Sequence, residues 1–392
     1  MRLSLAGADL RPLAADIIAR ASADETLTFP LLDAAIIFEI LGNPAMASQL
    51  RQIALQKQRL YRIPSAKPPR LRLLVLVAPG KLMANVPIEC LLENADDIEV
   101  TLWYVTANDD LTQAPTHDVL FVAIGEMDAH LPLLAAWEKR LATWPKPVLN
   151  RPRDIVKVAR DGVARLLDNL SGIQMPPTYR LHGQRLRELV GEQMDTPTLP
   201  AGLRFPLIAR PVDSHAGQQL HRLDDAAALL AMLAAGEQTQ TGEFFISNYI
   251  DYRNADGLFR KYRIVLIEGR PFPCHLAISS HWMIHYLNAG MAESAEKRAE
   301  EANFMANFSA FATRHAQALN AIQQTLGLDY LGIDCAETAD GDLLIFEVDP
   351  AMVAHAMDPV DIFPYKQAPM RQLFAAFREM LFRAAGKGGA DA

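Results

Sequence analysis

The stretch Tyr330–Pro350, YLGIDCAETADGDLLIFEVDP, reads as two apolar strands around an Asp-Gly turn, yet it carries acids where a strand interior has no use for them. With Asp340 and Gly341 as the two central residues of a hairpin turn, a strong short-range turn signal, Asp334 falls directly opposite Glu347. Asp349, two residues beyond Glu347, projects from the same face. Like charges set opposite one another destabilise a strand pair, so either a cation sits among the three carboxylates or the face is simply wet. Mg²⁺ is the hard, oxygen-seeking ion that suits such a set, commonly held by one or two carboxylates plus substrate phosphates. Asp340 and Asp342 belong to the turn.

A metal held in this way implies a polyphosphate, and the preceding chain has the pieces of a nucleotide site. FPLIARPVDSHAGQQL (205–220) is a strand, a basic residue (Arg210) and a loop of small residues reaching Gly217, able to bring N–H groups and positive charge to phosphates. EFFISNYID (243–251) offers a backbone edge for an adenine, with Tyr249 or Ile250 against its face. FRKYRIVLIEGRPFP (259–273) puts Arg260, Lys261 and Arg263 at a strand start, Lys261 and Arg263 on the same parity. Each piece alone is weak, since a basic strand end is more often an exposed rim than a phosphate clamp.

Working outward, 392 residues at 50% hydrophobic exceed one small core and predict two or three domains. The 38 basic and 46 acidic residues give a net charge of -8, and no Lys/Arg cluster forms a nucleic-acid footprint. Cys90, Cys274 and Cys335 are far apart with no CxxC spacing, which fits a reducing cytosol. The opening MRLSLAGADLRPLAADIIAR is broken by Asp9, Arg11 and Asp16, and no run approaches the roughly 18 apolar residues of a membrane span. The expectation is a soluble, unexported, cytoplasmic protein without nucleic-acid or membrane partners.

LLDAAIIFEILGN and PAMASQLRQIALQKQRLYR form an amphipathic helix pair split by Gly42-Asn43-Pro44, and IPSAKPPR (63–70) is a Pro-rich linker. LRLLVLVAPG, IEVTLWYV and HDVLFVAIGE then alternate with helical stretches, which predicts a small parallel α/β domain to about residue 150. Pro79-Gly80-Lys81 lacks the further glycines of a phosphate loop and reads as a strand-ending turn. In the long helical stretch 291–326, the charge run AESAEKRAEEA is read as a solvated face.

The order of these pieces resembles the ATP-grasp superfamily over about residues 150–385, in particular the branch of glutathione synthetase and the ribosomal-protein glutamate ligases. The resemblance lies in a helix exit followed by MPPT, the PLIARP strand with its small-residue loop, a hinge strand, KYRIVLIEG, and the GID…DGDLLIFEVDP hairpin. It implies an α/β (α+β) chain: a helical module over 1–67, a Rossmann-like pre-ATP-grasp domain over 68–150, and a two-subdomain ATP-grasp domain over 151–390 with a lid at about 180–250. Position by position it makes Asp334, Glu347 and Asp349 ligands of one or two Mg²⁺. It puts Arg210 at a phosphate lysine and Ser214, His215 and Gly217 in the phosphate loop. Ser247, Asn248, Tyr249 and Ile250 become the adenine hinge, Lys261 and Arg263 the basic strand, and HYLNAG, with His285 for an arginine and Asn288, the acceptor side.

Three departures stand out. Gly162 replaces a frequent second phosphate lysine, which puts ATP affinity on Arg160 or Arg165. Gly332 stands where some members carry arginine, and Asp349 where asparagine is usual.

The activity the resemblance implies is a carboxylate–amine ligase using Mg-ATP through an acyl phosphate, with small-molecule or peptide carboxylate and amine substrates. Arg263 is the candidate for offsetting phosphoryl and oxyanion charge. His281 and His285, four residues apart, would share a helix face and, with His275 and the less favoured His355, furnish polar pocket groups or a base; no HExxH glutamate accompanies them. Competing readings are a small-molecule kinase using the same site and a non-catalytic nucleotide-binding module. Residues 1–67 are a candidate surface for a protein partner, and a homodimer is compatible with the sequence.

Overall fold

The computed structural model describes residues 2–5, 7–24, 26–93, 95–190, 199–214, 217, 219–235 and 242–387. Four helices lead, Arg2–Leu5, Arg11–Ala23, Phe29–Ile40 and Pro44–Lys57. The break between the last two is the one the sequence signals. Gly42 takes a positive φ of 77°, Asn43 accepts from Met46 N (3.1 Å) as N-cap, and Pro44 opens the next helix without needing an N–H.

Fourteen strands follow in chain order among the described residues: β1 Leu60–Ile63, β2 Leu71–Val77, β3 Ile98–Tyr104, β4 Val119–Val122, β5 Val148–Leu149, β6 Ile173–Gln174, β7 Thr178–His182, β8 Leu207–Pro211, β9 His221–Leu223, β10 Glu243–Asn248, β11 Phe259–Ile267, β12 Arg270–Ser279, β13 Tyr330–Glu337 and β14 Leu343–Asp349. They make three sheets, ordered β1-β3-β2-β4-β5, β7-β10-β8-β9 and β12-β11-β13-β14-β6. The chain is therefore mixed α/β with N-terminal helices, the fold class expected.

In the first sheet β2, β3, β4 and β5 run parallel, and their nearly uninterrupted apolar sequence reflects burial on both faces. Helix Leu131–Leu141 buries Leu134, Trp137 and Leu141 against one face, while helix Gln367–Ala384 lays Met370, Leu373 and Phe377 on the other. β1 is an antiparallel edge paired to β3. The expected helical module ended at residue 67, but Leu60–Ile63 is already part of this sheet.

The second sheet is antiparallel and alternates with period two. Leu207, Ala209, Phe244 and Ile246 enter its own core, leaving Ile208, Arg210, Phe245 and Ser247 on the opposite face. The third sheet turns Lys261, Arg263, Asp334, Glu347 and Asp349 toward that face. A cavity is thus enclosed between two sheets.

The deciding hairpin differs from expectation in its turn. Glu337 pairs with Leu343, so five residues, 338–342, make the connection, closed by Thr338 N to Asp342 O (2.9 Å) and Gly341 N to Thr338 O (3.0 Å). That change would move every acid by one position. A β-bulge at Phe346 inserts one residue and cancels the shift, so Asp334 does lie opposite Glu347 and Gly332 opposite Asp349.

The charge run at 292–302 is not wholly solvated: Glu301 is completely buried. Nor do His281 and His285 share a helix, since 280–285 is irregular chain followed by a short 3₁₀ turn, Tyr286–Asn288. Three consecutive apolar residues, Trp282, Met283 and Ile284, give that segment no helical face. Among the described residues no helix is long and apolar enough to cross a membrane.

Candidate active site

The cavity between the second and third sheets has a volume of about 540 Å³ and also reaches the first sheet and the N-terminal helices through Gly125, Glu126, Met83 and Leu5. Its floor is the acidic hairpin. Asp334, only 1% exposed, receives a fork from Arg263, Nε to Oδ1 at 2.7 Å and Nη2 to Oδ2 at 3.0 Å. Lys261 Nζ adds a third contact to Oδ2 at 2.7 Å. Burial would raise this carboxyl, but Arg263 and Lys261 hold it far below the usual carboxylate range. The cations that relieve the Asp334–Glu347 opposition are therefore side chains of β11, the pair that the sequence put on one parity. Arg260, on the other parity, is paired with Glu300 and Asp256.

Glu347 is bound by Arg160, whose second nitrogen donates to Phe346 O at 3.2 Å. The bulge supplies that acceptor, because the extra residue leaves the ladder. Burial works against ionisation of Glu347, and the charges of Arg160 and Arg210 bring its pKa below the ordinary value. Arg165 instead pairs with Asp161 on the surface.

Arg210 lines the same cavity and holds the phosphate-side loop by donating to Ser214 O and, at 3.2 Å, to Ser214 Oγ. Its pKa is lowered to about 10 by burial and by the charge of Arg160. Two mutually repelling guanidiniums around one carboxylate create a place for a further anion. Gly217 in this loop has φ 72°, and a side chain there would press on Met283 Sδ. His215 lies outside the described residues.

Asp349 stands beside Glu347 and forms no ion pair among the described residues. Burial and the Glu347 charge push it up to about 7. Glu126, at the end of β4's apolar run, is likewise pushed up to about 7 by burial and then by Asp213, Asp128 and Asp349. The sequence reading passed over Glu126. Its signal was available, since ligands of parallel sheets gather at the carboxyl ends of strands.

Of the hinge residues, Ser247, Tyr249 and Ile250 line the cavity. Asn248 also reaches it, but its side-chain amide is occupied in accepting from Arg204 N (2.9 Å) and donating to Gly202 O (2.8 Å), so it anchors the approach to β8. Tyr249 is capped by the Arg222 guanidinium at 4.3 Å and meets Trp282 edge-on at 5.8 Å.

The histidine-rich segment divides. His285 is half-buried on the cavity wall, held neutral by burial and by Lys261 and Arg263. Exposed His281 and Asn288 are not among the cavity-lining side chains; the Asn288 amide oxygen accepts from His285 N (3.0 Å) and shapes the turn. His275 and His355 do reach the cavity, as do Asp358 and Lys366, which no local sequence pattern marks.

No family model matches the chain, and no curated protein matches it by sequence. Among solved structures it is similar to a RimK domain protein, ATP-grasp, from Sphaerobacter thermophilus, with 15% identity over 81% of this chain and 98% of that one and a TM-score of 0.44. It is similar to D-alanine–D-alanine ligase from Bacillus anthracis complexed with ATP, with 14% identity over 82% of this chain and 100% of that one and a TM-score of 0.48. It is also similar to the ATP-grasp ligase PsnB complexed with a phosphomimetic variant of minimal precursor, Mg and ADP, with 14% identity over 79% of this chain and 99% of that one and a TM-score of 0.41.

Proposed function

We propose that the chain is an ATP-grasp ligase that joins a carboxylate to an amine with Mg-ATP. The observation that carries this reading is the pair Arg160 and Arg210, two guanidiniums directed into one cavity around Glu347, with Ser247, Tyr249 and Ile250 on the same wall. Half-buried like charges in mutual repulsion favour a polyanion, and the hinge wall accommodates a flat base beside it. In this reading the carboxylate takes the terminal phosphoryl of ATP, and the amine then displaces phosphate, giving an amide, ADP and inorganic phosphate.

Mg²⁺ fits this cavity through Glu347 and Asp349. Asp349 is a half-buried acid that forms no ion pair among the described residues, and two carboxylates plus phosphate oxygens and water are the ordinary shell of this ion. Asp334 fits less well, because both of its oxygens are engaged by Arg263 and Lys261. Among the described residues no group of three or more His, Cys, Asp or Glu side chains is arranged to hold a metal unaided, so phosphate would complete the site. Held there, Mg²⁺ would offset charge on the transferring phosphoryl.

Arg263 is assigned the oxyanion. Three of its five N–H groups are used, two on Asp334 and one on Val353 O at 3.3 Å, leaving two for a developing charge. Lys261 supports the transferring phosphoryl, Ser214, His215 and Gly217 belong to the phosphate loop, and His285 serves the acceptor side. A cytoplasmic setting, self-association and a protein partner for residues 1–67, which expose Leu3, Leu13, Leu27 and Phe29, belong to the same proposal.

The test is calorimetric titration with Mg-AMP-PNP. Wild type should bind, and Arg160→Ala and Arg210→Ala should each raise the dissociation constant roughly 10- to 100-fold, the worth of a charge-assisted contact. Unaltered affinity in both variants would remove the nucleotide from this site.

A further inference from the structure

Past Arg263 the cavity wall enters a second polar region built by Cys274 and His275 on β12, Tyr286, and His355, Asp358 and Lys366 from the chain after β14. Its centre is Lys366, 2% exposed. The ammonium donates to Tyr286 Oη and to Asp358 Oδ2 (3.0 Å), and lies 3.4 Å from Glu301 Oε1 and 4.0 Å from the centre of the Tyr286 ring. Two of its donors are therefore hydrogen-bonded, and Glu301 adds an ion pair.

Glu301 is saturated behind the wall, accepting from Leu276 N (3.0 Å), Tyr286 Oη (2.9 Å) and Tyr365 Oη (2.6 Å). Asp358 differs. It lines the cavity, and among the described residues its contact is with Lys366 through Oδ2, leaving Oδ1 without a partner. Beside it the His275 ring stacks on Tyr286 at 4.5 Å and 11°, with Nε2 buried and unpartnered. A buried polar atom left in this way is costly unless a ligand satisfies it.

Charge separates the two ends of the cavity. At the phosphate end Asp334 is matched by Lys261 and Arg263 and Glu347 by Arg160, whereas here Asp358 and Glu301 share Lys366 among the described residues. We infer that this second region is the subsite of the amine substrate, with Asp358 the specificity-determining residue for its ammonium group, His275 Nε2 a hydrogen-bond partner, and Lys366 a positioning residue that fixes Asp358. The inference rests on the ligase reading for the identity of the substrate as an amine. His275 is kept neutral by burial and by Arg263 and Lys366, so it contributes a hydrogen bond and no competing charge.

The test uses the full chain, calorimetry and thermal shift. The probes are a panel of amino-acid amides at millimolar concentration, which carry a free ammonium and no carboxylate, and their N-acetylated counterparts, each measured with and without Mg-AMP-PNP. At least one free-amine probe should bind wild type and its acetylated counterpart should not. Asp358→Asn should weaken that binding about tenfold or more, Asp358→Glu should restore most of it, and the Mg-AMP-PNP response should be the same in all three proteins. The inference is overturned if no free-amine probe binds wild type, if acetylated probes bind equally, or if Asp358→Asn keeps the amine affinity. Loss of the Mg-AMP-PNP response in wild type would instead strike the nucleotide reading, and the amine arm measured without nucleotide would still judge Asp358.

Discussion

Replacing Asp334 by Asn tests the claim that two β11 cations, and not a metal, compensate the acid at the centre of the hairpin. The substitution keeps shape and removes the anion from a side chain 1% exposed, leaving Arg263 and Lys261, whose side chains are 21% and 18% exposed, facing one another. Breaking a buried ion pair by deleting one partner costs about 3–5 kcal/mol. Relief of the direct opposition to Glu347 returns at most ~1 kcal/mol. The net expectation is a loss of about 2–4 kcal/mol in the third sheet.

Native-state hydrogen exchange is the suitable assay, because it reads the opening free energy of β11 and β13 without requiring the whole chain to unfold in one step. Protection of the Tyr262–Val265 and Ile333–Cys335 amides should fall about 30- to 700-fold, the same energy at 1.4 kcal/mol per decade. The pH dependence has a definite sign. Because the folded-state pKa of Asp334 is depressed, its contribution is present above the ordinary carboxylate range and is lost only as pH falls through the depressed value. The gap between wild type and variant should therefore be the same at about pH 8 and pH 5. A change in protection below about fivefold, or a gap that closes between those pH values, would refute the reasoning.

Glu126→Gln should raise the thermal midpoint at alkaline pH and leave it nearly unchanged at acidic pH. The raised pKa of about 7 means that the carboxyl's contribution is complete below its unfolded value and is lost as pH rises through 7; a stabilisation that does not grow between those limits would contradict the assigned burial. Gly332→Ala should destabilise by about 1–3 kcal/mol through overpacking, because Met352 Cβ, Cγ and Sδ occupy the space a Cβ would need. Pairing it with Met352→Gly, which removes all three of those atoms, should give a loss smaller than the sum of the two single losses in urea unfolding, and strictly additive losses would show that the strain lies elsewhere.

Much of the fold was legible because its signals are local. Unbroken apolar strands announced the parallel sheet, the Gly42-Asn43-Pro44 break delimited two helices, and the acids of the hairpin found their opposition. What escaped was the part written in long-range contacts. The bulge at Phe346 has no composition of its own and is fixed where Arg160, 186 positions away, takes the carbonyl. Glu301 looked solvated because its partners, Tyr286, Tyr365 and Lys366, come from two other segments. The histidines at 281 and 285 were read at helical spacing, while a turn held by Asn288 sends only His285 to the cavity.

The two glycines that depart from the resembled pattern now have separate explanations. At Gly162 a Cβ would meet only Lys157 O at 3.5 Å and Ala159 Cβ at 3.7 Å, ordinary contacts, so packing does not demand glycine there. Arg160, at the start of the same helix, is seated on Glu347. At Gly332 packing does demand it, since Met352 fills the position where an arginine would have to pass. Arg263 reaches from β11 to Asp334 and to Val353 O, one residue beyond Met352. Arg160 and Arg263 thus bring their guanidiniums to the acidic hairpin from a helix and from β11. Asp349 forms no ion pair among the described residues and stays pushed up to about 7 despite the charges of Arg263 and Arg160, so a cation bound beside it would bring it down.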